Sequence, residues 1–376
     1  MTLLAALLSC LALLGWLYLG FFHGRFWQIL VAEPAPLLNA WPSVDIIVPA
    51  RNEAKALPHS LPSLLAQDYP GTWRVILVDD HSADGTSAVA QKIATEKNLS
   101  ELLMVISAPA LPPEWSGKLA AMQAGVAQSA ADYVLFTDAD IEHPQDGLRK
   151  LVMRAEDNKL DLTSLMVKLH CASMAEKFLV PAFVFFFAML YPFRRANNPQ
   201  SRVTAAAGGV MLVRRSMLDA IGGLASIKSA LIDDCTLAKA IKDKGGCIEI
   251  TLARTTKSLR VYPRIKDIWR MVARTAYTQL RHSRWLLAGT VIGMGILFLL
   301  PPLMPLTGWP LASEAALGAW LTMFLLYLPM VRFYDLPFYY ALFLPFAALI
   351  YIAATIDSAR LYWQGKGGQW KGRSQA

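Results

Sequence analysis

Two carboxylates, Asp138 and Asp140, follow the apolar run 133–137, where the chain leaves a strand-like pattern. Acids at i and i+2 beyond a strand end can share a divalent cation or reach it through water. A hard cation such as Mg²⁺ or Mn²⁺ takes oxygen ligands of this kind together with substrate phosphates, and it neutralises the charge that builds on a departing diphosphate. Taken alone, the triplet describes a solvated turn or a helix cap ahead of Pro144 equally well. It does not stand alone. Asp79 and Asp80 close an earlier apolar run and offer acceptors to a uracil N–H or a ribose hydroxyl; their plainer role is to cap the turn-like residues 82–86. Lys118 supplies a cation for a phosphate, or is a solvated lysine. Arg51 and Glu53 follow a third apolar run. Acids at successive strand ends with a lysine between them arise by accident far less often than any one of them.

The elements that must hold these residues are legible around them. Runs 44–49, 73–79 and 133–137 are short, apolar and rich in β-branched residues, while 54–66 and 87–97 carry helical spacing. Strand and helix alternate, which predicts an α/β fold with a mainly parallel, Rossmann-like sheet covered on both faces. Ligands of such sheets bind beyond the carboxyl ends of the strands. The three polar clusters therefore converge on one site.

The rest of the chain belongs to lipid. Of its 376 residues 55% are hydrophobic and 17% charged, against about 25% charged in an ordinary soluble domain. Residues 2–22 carry no charge and reach the roughly 20 apolar residues a spanning helix needs; without a basic n-region they predict an uncleaved anchor over 1–24 rather than a signal peptide. The proline-rich stretch 25–42 predicts a linker, 43–285 the catalytic domain, 286–357 three membrane segments and 358–376 a basic tail. Segment 178–193 is intensely apolar but only 16 residues long, with Pro181 and Pro192 near its ends. The expectation is a helix lying in the membrane surface with Phe183 to Phe187 toward lipid, a buried core helix being the alternative. Positive residues begin only after the first span, which puts the domain in the cytoplasm of a bacterial inner membrane. Three further crossings would then strand the basic tail outside, so one C-terminal segment must be re-entrant or interfacial, or the rule is broken. The formal charge of +8 is scattered among carboxylates and crowds into 254–284, favouring an anionic membrane and an anionic substrate over nucleic acid. The four cysteines form no C-x-x-C pair and no metal spacing.

These residues resemble glycosyltransferase family 2, whose fold is GT-A, over roughly 44–285. Pro49, Ala50, Arg51 and Glu53 lie in a P-x-x-N-E motif, Asp79 and Asp80 match the nucleotide-binding acids and Asp138 and Asp140 the metal-binding D-x-D. Gly208 and Gly209, with Arg214, Arg215, Gly222 and Gly223, are similar to the acceptor-side segment. Asp233 and Asp234 occupy the place of the E-D pair, with aspartate for glutamate, and Arg281, Arg284 and Trp285 match a (Q/R)-x-x-R-W motif. The resemblance implies a nucleotide-sugar donor, UDP-linked, held by the P-x-x-N-E segment, Asp79, Asp80, Lys118, Asp138 and the Arg281, Arg284 and Trp285 set. It also implies a Mg²⁺ or Mn²⁺ ion at Asp138 and Asp140, and inverting transfer with Asp234 as base and Asp233 beside it. By residue type alone either aspartate can be the base or a helix cap, and the Arg–Trp set can instead anchor the next membrane helix. Segments 165–170, 181–187 and 269–279 resemble the hopene-associated HpnB type, which implies a membrane lipid acceptor related to hopanoids. A polyprenyl phosphate acceptor and a non-catalytic scaffold in lipid synthesis are the competing readings. The clustered acids argue against the scaffold. No serine-hydrolase elbow, P-loop or H-E-x-x-H pattern is present.

Overall fold

A computed structural model describes residues 2–33 and 35–366, together with the backbone of 369–370 and 373–374. The basic tail beyond 366 otherwise lies outside the described residues. Eight strands, β1 (Val44–Ala50), β2 (Trp73–Asp79), β3 (Leu103–Ser107), β4 (Tyr133–Thr137), β5 (Ile141–Glu142), β6 (Leu162–Lys168), β7 (Val210–Arg214) and β8 (Ile248–Ser258), form one sheet in the order β3-β2-β1-β4-β7-β6-β8-β5. β7 pairs antiparallel with both β4 and β6, and β5 antiparallel with β8; the other pairings are parallel. The mainly parallel sheet expected from the alternation is thus present, with β7 reversed in its middle. All seven residues of β1 are buried, as a strand covered on both faces requires. Its one charge, Asp45, is satisfied by Arg74 Nε at 2.8 Å.

Reversing β7 has a functional consequence. It brings the start of that strand, preceded by Gly208 and Gly209, to the edge where β1, β2 and β4 end. Asp138 N donates to Gly209 O at 3.2 Å. Behind this junction Thr137 Oγ1 gives its one proton to Gly209 O at 2.9 Å, so the His143 Nε2 that lies 2.9 Å from the same hydroxyl must be its donor. Burial holds His143 down at about 4, so this link stays neutral.

Among the described residues five helices are long and apolar enough to cross a membrane: Thr2–Phe21, Met174–Ala196, Arg284–Thr307, Pro310–Phe333 and Phe338–Trp363. The first packs along Arg284–Thr307 and Pro310–Phe333 through small residues. A Cβ on Gly15 would sit 2.5 Å from Leu297, and one on Gly20 3.2 Å from Leu326, the close approach that glycine permits between apolar helices. Pro301 has no N–H to give Leu297 O four residues earlier. Trp16 Nε1 supplies it at 2.7 Å, and its ring meets Phe298 edge-on at 5.1 Å.

Met174–Leu190 begins with a capping box, Ser173 accepting from Glu176 N and Glu176 accepting from Ser173 N. The surface-lying expectation fails here. Phe185 is fully buried, none of Phe183, Phe186 and Phe187 is exposed, and the helix is packed into the core shared with the C-terminal helices. This is the buried helix of the alternative reading. Length alone would let it cross a bilayer, but β1 to β6 precede it and β7 and β8 follow it within one sheet. A single crossing would put hydrogen-bonded neighbours on opposite sides.

The two ends of the helical bundle are distinct. The end of Thr2–Phe21 is fastened to the domain by Arg195 Nη2, which donates to Phe22 O at 2.7 Å, whereas its start packs with Met304, Trp309 and Ala312. Pro310–Phe333 returns to the domain, where Asp335 accepts from Lys168 at 2.7 Å. The second half of the last helix is tied to other elements: Tyr351 OH donates to Leu179 O at 2.8 Å, Trp269 Nε1 to Asp357 at 2.9 Å and Tyr277 N to Ser358 Oγ at 3.0 Å.

Candidate active site

In the β1–β2 register Ala50 pairs with Asp79, so Arg51 and Asp80 leave neighbouring strands at one level. Asp80 N donates to Ala50 O at 2.8 Å. Arg51 Nη1 donates to Asp80 O at 2.6 Å and approaches Asp80 Oδ2 at 3.3 Å; the acid is 3% exposed. Asp79 has the capping partners its turn-like surroundings suggest, accepting from Ser82 N at 3.0 Å and Ser87 Oγ at 2.5 Å.

The cleft beyond these ends encloses about 710 Å³ of open space and is lined by Pro49, Glu53, Ser116, Lys118, Asp138, Ala139, Asp140, Ala230, Leu231, Asp233, Arg260 and Arg274. Ser116 caps the helix Gly117–Val126, accepting from Leu119 N, and thereby places Lys118 in its first turn. The Lys118 ammonium lies 2.9 Å from Asp138 Oδ1 and 3.5 Å from Asp233 Oδ2. Burial works against its charge, yet Asp138, Asp233 and Asp234 together hold it well above the usual lysine range.

Asp233 and Asp234 open the helix Asp233–Asp243, where negative charge suits the helix dipole. Asp233 faces the cleft. Asp234, partly exposed like its neighbour, accepts Gly208 N at 2.8 Å through Oδ2 and Cys235 N at 2.7 Å through Oδ1. Burial, then the charge on Asp233, push its carboxyl up to about 6, against the Cys235 N–H, the Lys118 charge and the Gly208 N–H. A partly exposed acid raised in this way suits proton transfer near neutrality.

The structure therefore brings together Pro49, Glu53, Lys118, Asp138, Asp140 and Asp233 on the cleft wall, with Ala50, Arg51, Asp79, Asp80, Gly208, Gly209 and Asp234 in the layer behind. It does not bring Arg281, Arg284 and Trp285 there. Ser283 caps the membrane helix that starts at Arg284, Trp285 is 88% exposed, and Arg284 stacks over Trp363 at 5.6 Å. In this structure these three residues do not line the cleft. Arg260 and Arg274 take the place in the cleft. Arg260 follows β8, one more strand end, and was findable by the same strand-end logic; Arg274 was hidden in a basic stretch that reads as lipid-facing.

Among the described residues no cluster of three or more His, Cys, Asp or Glu is arranged to hold a metal. The available donors, Asp138 and Asp140, are hard oxygens. They fit a Mg²⁺ or Mn²⁺ ion that completes its shell with water and substrate phosphates.

Residues 45–222 match the family model described as Glycosyl transferase family 2. An N-acetylglucosaminyltransferase of Rhizobium leguminosarum bv. trifolii is 35% identical over 122 residues, 32% of this chain and 63% of that protein. Glycosyltransferase AglE of Haloferax volcanii is 30% identical over 127 residues, 34% of this chain and 40% of that one. The chain thus spans less than two thirds of either relative. A mannosyltransferase of Pyrobaculum calidifontis, solved with GDP-Man and Mn²⁺, superposes with a TM-score of 0.59 at 19% identity, covering 97% of this chain and 100% of that one. The fold is of the GT-A type.

Proposed function

We propose that this chain is an inverting glycosyltransferase that passes a sugar from a nucleotide-sugar donor to a membrane lipid. The observation that carries the reading is the strand-end cleft itself, where Lys118 lies between Asp138 and Asp233 and a high-pKa acid stands behind them. Asp79 and Asp80 suit a UDP-linked donor through the base or ribose, Lys118, Arg260 and Arg274 its diphosphate. A divalent ion on Asp138 and Asp140, when bound, supplies charge neutralisation at the diphosphate. Asp234 takes the proton of the acceptor hydroxyl as that oxygen bonds to the anomeric carbon. The bond from that carbon to the diphosphate breaks on the opposite side, the electron pair leaving with the diphosphate. One displacement inverts the anomeric centre.

The membrane placement is supported by the packing of the two bundle ends. Three helices cross, Thr2–Phe21, Arg284–Thr307 and Pro310–Phe333, and the last helix stays on the domain side. Between Arg284 and Arg332 the only charge is Glu314, so every basic residue falls on the domain face, which is then cytoplasmic. The conflict over the basic tail disappears, because an odd number of crossings precedes it.

The resemblance to the hopene-associated type favours a hopanoid-related acceptor. A second reading, transfer to a polyprenyl phosphate, is favoured by Arg260 and Arg274, two arginines on one cleft and enough to hold an acceptor phosphate as well as the donor. Incubating the purified chain with labelled nucleotide sugars and extracted bacterial lipids tests both: label in a neutral lipid supports the first, label in an acidic polyprenyl fraction the second. Label released only as free sugar would overturn the transfer reading.

A further inference from the structure

A second, shallow cleft, about 550 Å³ with the solvent at its mouth included, is lined by Leu30, Arg154, Arg194, Asn197, Asn198, Glu249 and Thr251. It belongs to the start of β8, whereas the catalytic cleft takes Arg260 from beyond that strand's end. Seven residue steps along the strand separate Thr251 from Ser258, more than about 20 Å at 3.3 Å per residue. The two clefts are separate.

Its position is set by the first membrane helix. Arg195 holds Phe22 O just past that helix, and Leu252 N donates to Leu30 O at 2.7 Å where the following segment meets β8. The residues around Arg194 therefore lie where the chain leaves lipid. Asn197 fixes this loop to the strand, exchanging two hydrogen bonds with the backbone of Ile250. Lys242 Nζ is driven in behind it, donating to Ala196 O, Asn198 O and Val203 O at 2.8 to 2.9 Å.

Among the lining residues the charges do not cancel, although Glu33 and Asp157 also lie close enough to act on Arg154. Both oxygens of Glu249 are taken by Arg154, at 2.8 and 2.7 Å, so that pair is internally neutral. Arg194 is exposed and pairs with no carboxylate among the described residues. Thr251, also on the lining, is 2% exposed and its hydroxyl has no hydrogen-bond partner, a cost a native structure normally avoids. An unpaired guanidinium and an unsatisfied hydroxyl lining one cleft are suited to a phosphate oxygen. Basic pockets beside membrane helices on the cytoplasmic side hold lipid headgroups in the same way.

The geometry points to this cleft as a binding site for the phosphate of an anionic phospholipid headgroup, distinct from the catalytic cleft. The inference rests on the membrane placement proposed above and not on the sugar chemistry, so its test reads binding rather than turnover. The full chain, purified from membranes in detergent, is titrated with short-chain phosphatidylglycerol and followed by native mass spectrometry. Wild type should retain one lipid; Arg194→Glu, a change at an exposed and unpaired side chain, should weaken retention roughly fivefold or more, and Thr251→Val should weaken it with the fold kept. Equal retention by both variants overturns the site. Displacement by millimolar inorganic phosphate overturns the lipid assignment in favour of free phosphate. Recovery of the chain from the soluble fraction overturns the membrane placement, whatever its turnover.

Discussion

The Gly208 backbone N–H points at Asp234 Oδ2 from 2.8 Å, tying the loop that feeds the reversed strand to the first turn of the helix that carries the proposed base. A Cβ at Gly208 would lie 3.3 Å from that oxygen and 3.3 Å from Lys118 Nζ. The lysine tip can move aside, but Asp234 is held from two directions by amides. Gly208→Ala should therefore fold and lower kcat by about tenfold, within the loss of up to about 10² that a misplacement near 1 Å brings. Unchanged kcat would show that Asp234 needs no such anchoring.

Activity should fall as pH drops through about 6, because the base must be ionised and Asp234 is raised to that value by burial and by Asp233. Asp233→Asn removes a neighbouring negative charge and should move the acid limb of kcat/KM to lower pH. Lys118→Gln removes a positive one and should move it higher. A limb that stays in place in both variants would mean that Asp234 is not the titrating group.

Metal dependence is expected to reside in Asp138 and Asp140. Chelation, or Asp140→Asn in a chain that still folds and inserts, should abolish turnover, and added Mg²⁺ or Mn²⁺ should restore the chelated enzyme but not the variant. Full activity in excess chelator would remove the ion from the mechanism.

Topology is open to thiol labelling in a chain whose four native cysteines are replaced by serine. Cysteines at exposed Lys97 and Gln364 should be shielded from an impermeant reagent in intact cells, and one at exposed Thr307 should react. Labelling at Gln364 before lysis would mean that the last helix crosses.

The sheet, its direction and its strand-end acids were legible because a buried parallel strand must be continuously apolar and because Asp79, Asp80, Asp138 and Asp140 sit where those runs stop. Two features were not. Whether Phe183 to Phe187 face lipid or protein depends on what surrounds them, and apolar composition is the same in either case; only the packing of Met174–Leu190 against Ile265–Ala273 and the C-terminal helices distinguishes the two. Likewise an Arg–Trp pair carries the same residue types at a membrane interface as in a donor site. The Ser283 cap, which starts a membrane helix at Arg284, is what separates the two.

The difference between those two arginine sets gives the last prediction. Arg260 and Arg274 line the cleft with Asp138 and Asp140, whereas Arg284 lies over Trp363 and Trp285 is exposed at the start of a membrane helix. If the diphosphate is held where the structure puts cations, Arg274→Ala should lose a charge-assisted hydrogen bond worth about 1.5 to 3 kcal/mol, roughly ten- to a hundredfold in donor affinity. Arg260→Ala should behave similarly. Arg284→Ala should leave the donor constant near that of wild type and instead reduce the amount of protein recovered in the membrane. Calorimetric titration of each variant with the nucleoside diphosphate, set beside its yield in the membrane fraction, separates the two effects. Loss of nucleotide affinity in Arg284→Ala with Arg274→Ala unaffected would restore the motif-based assignment and would require the segment 281–285 to swing into the cleft when donor binds.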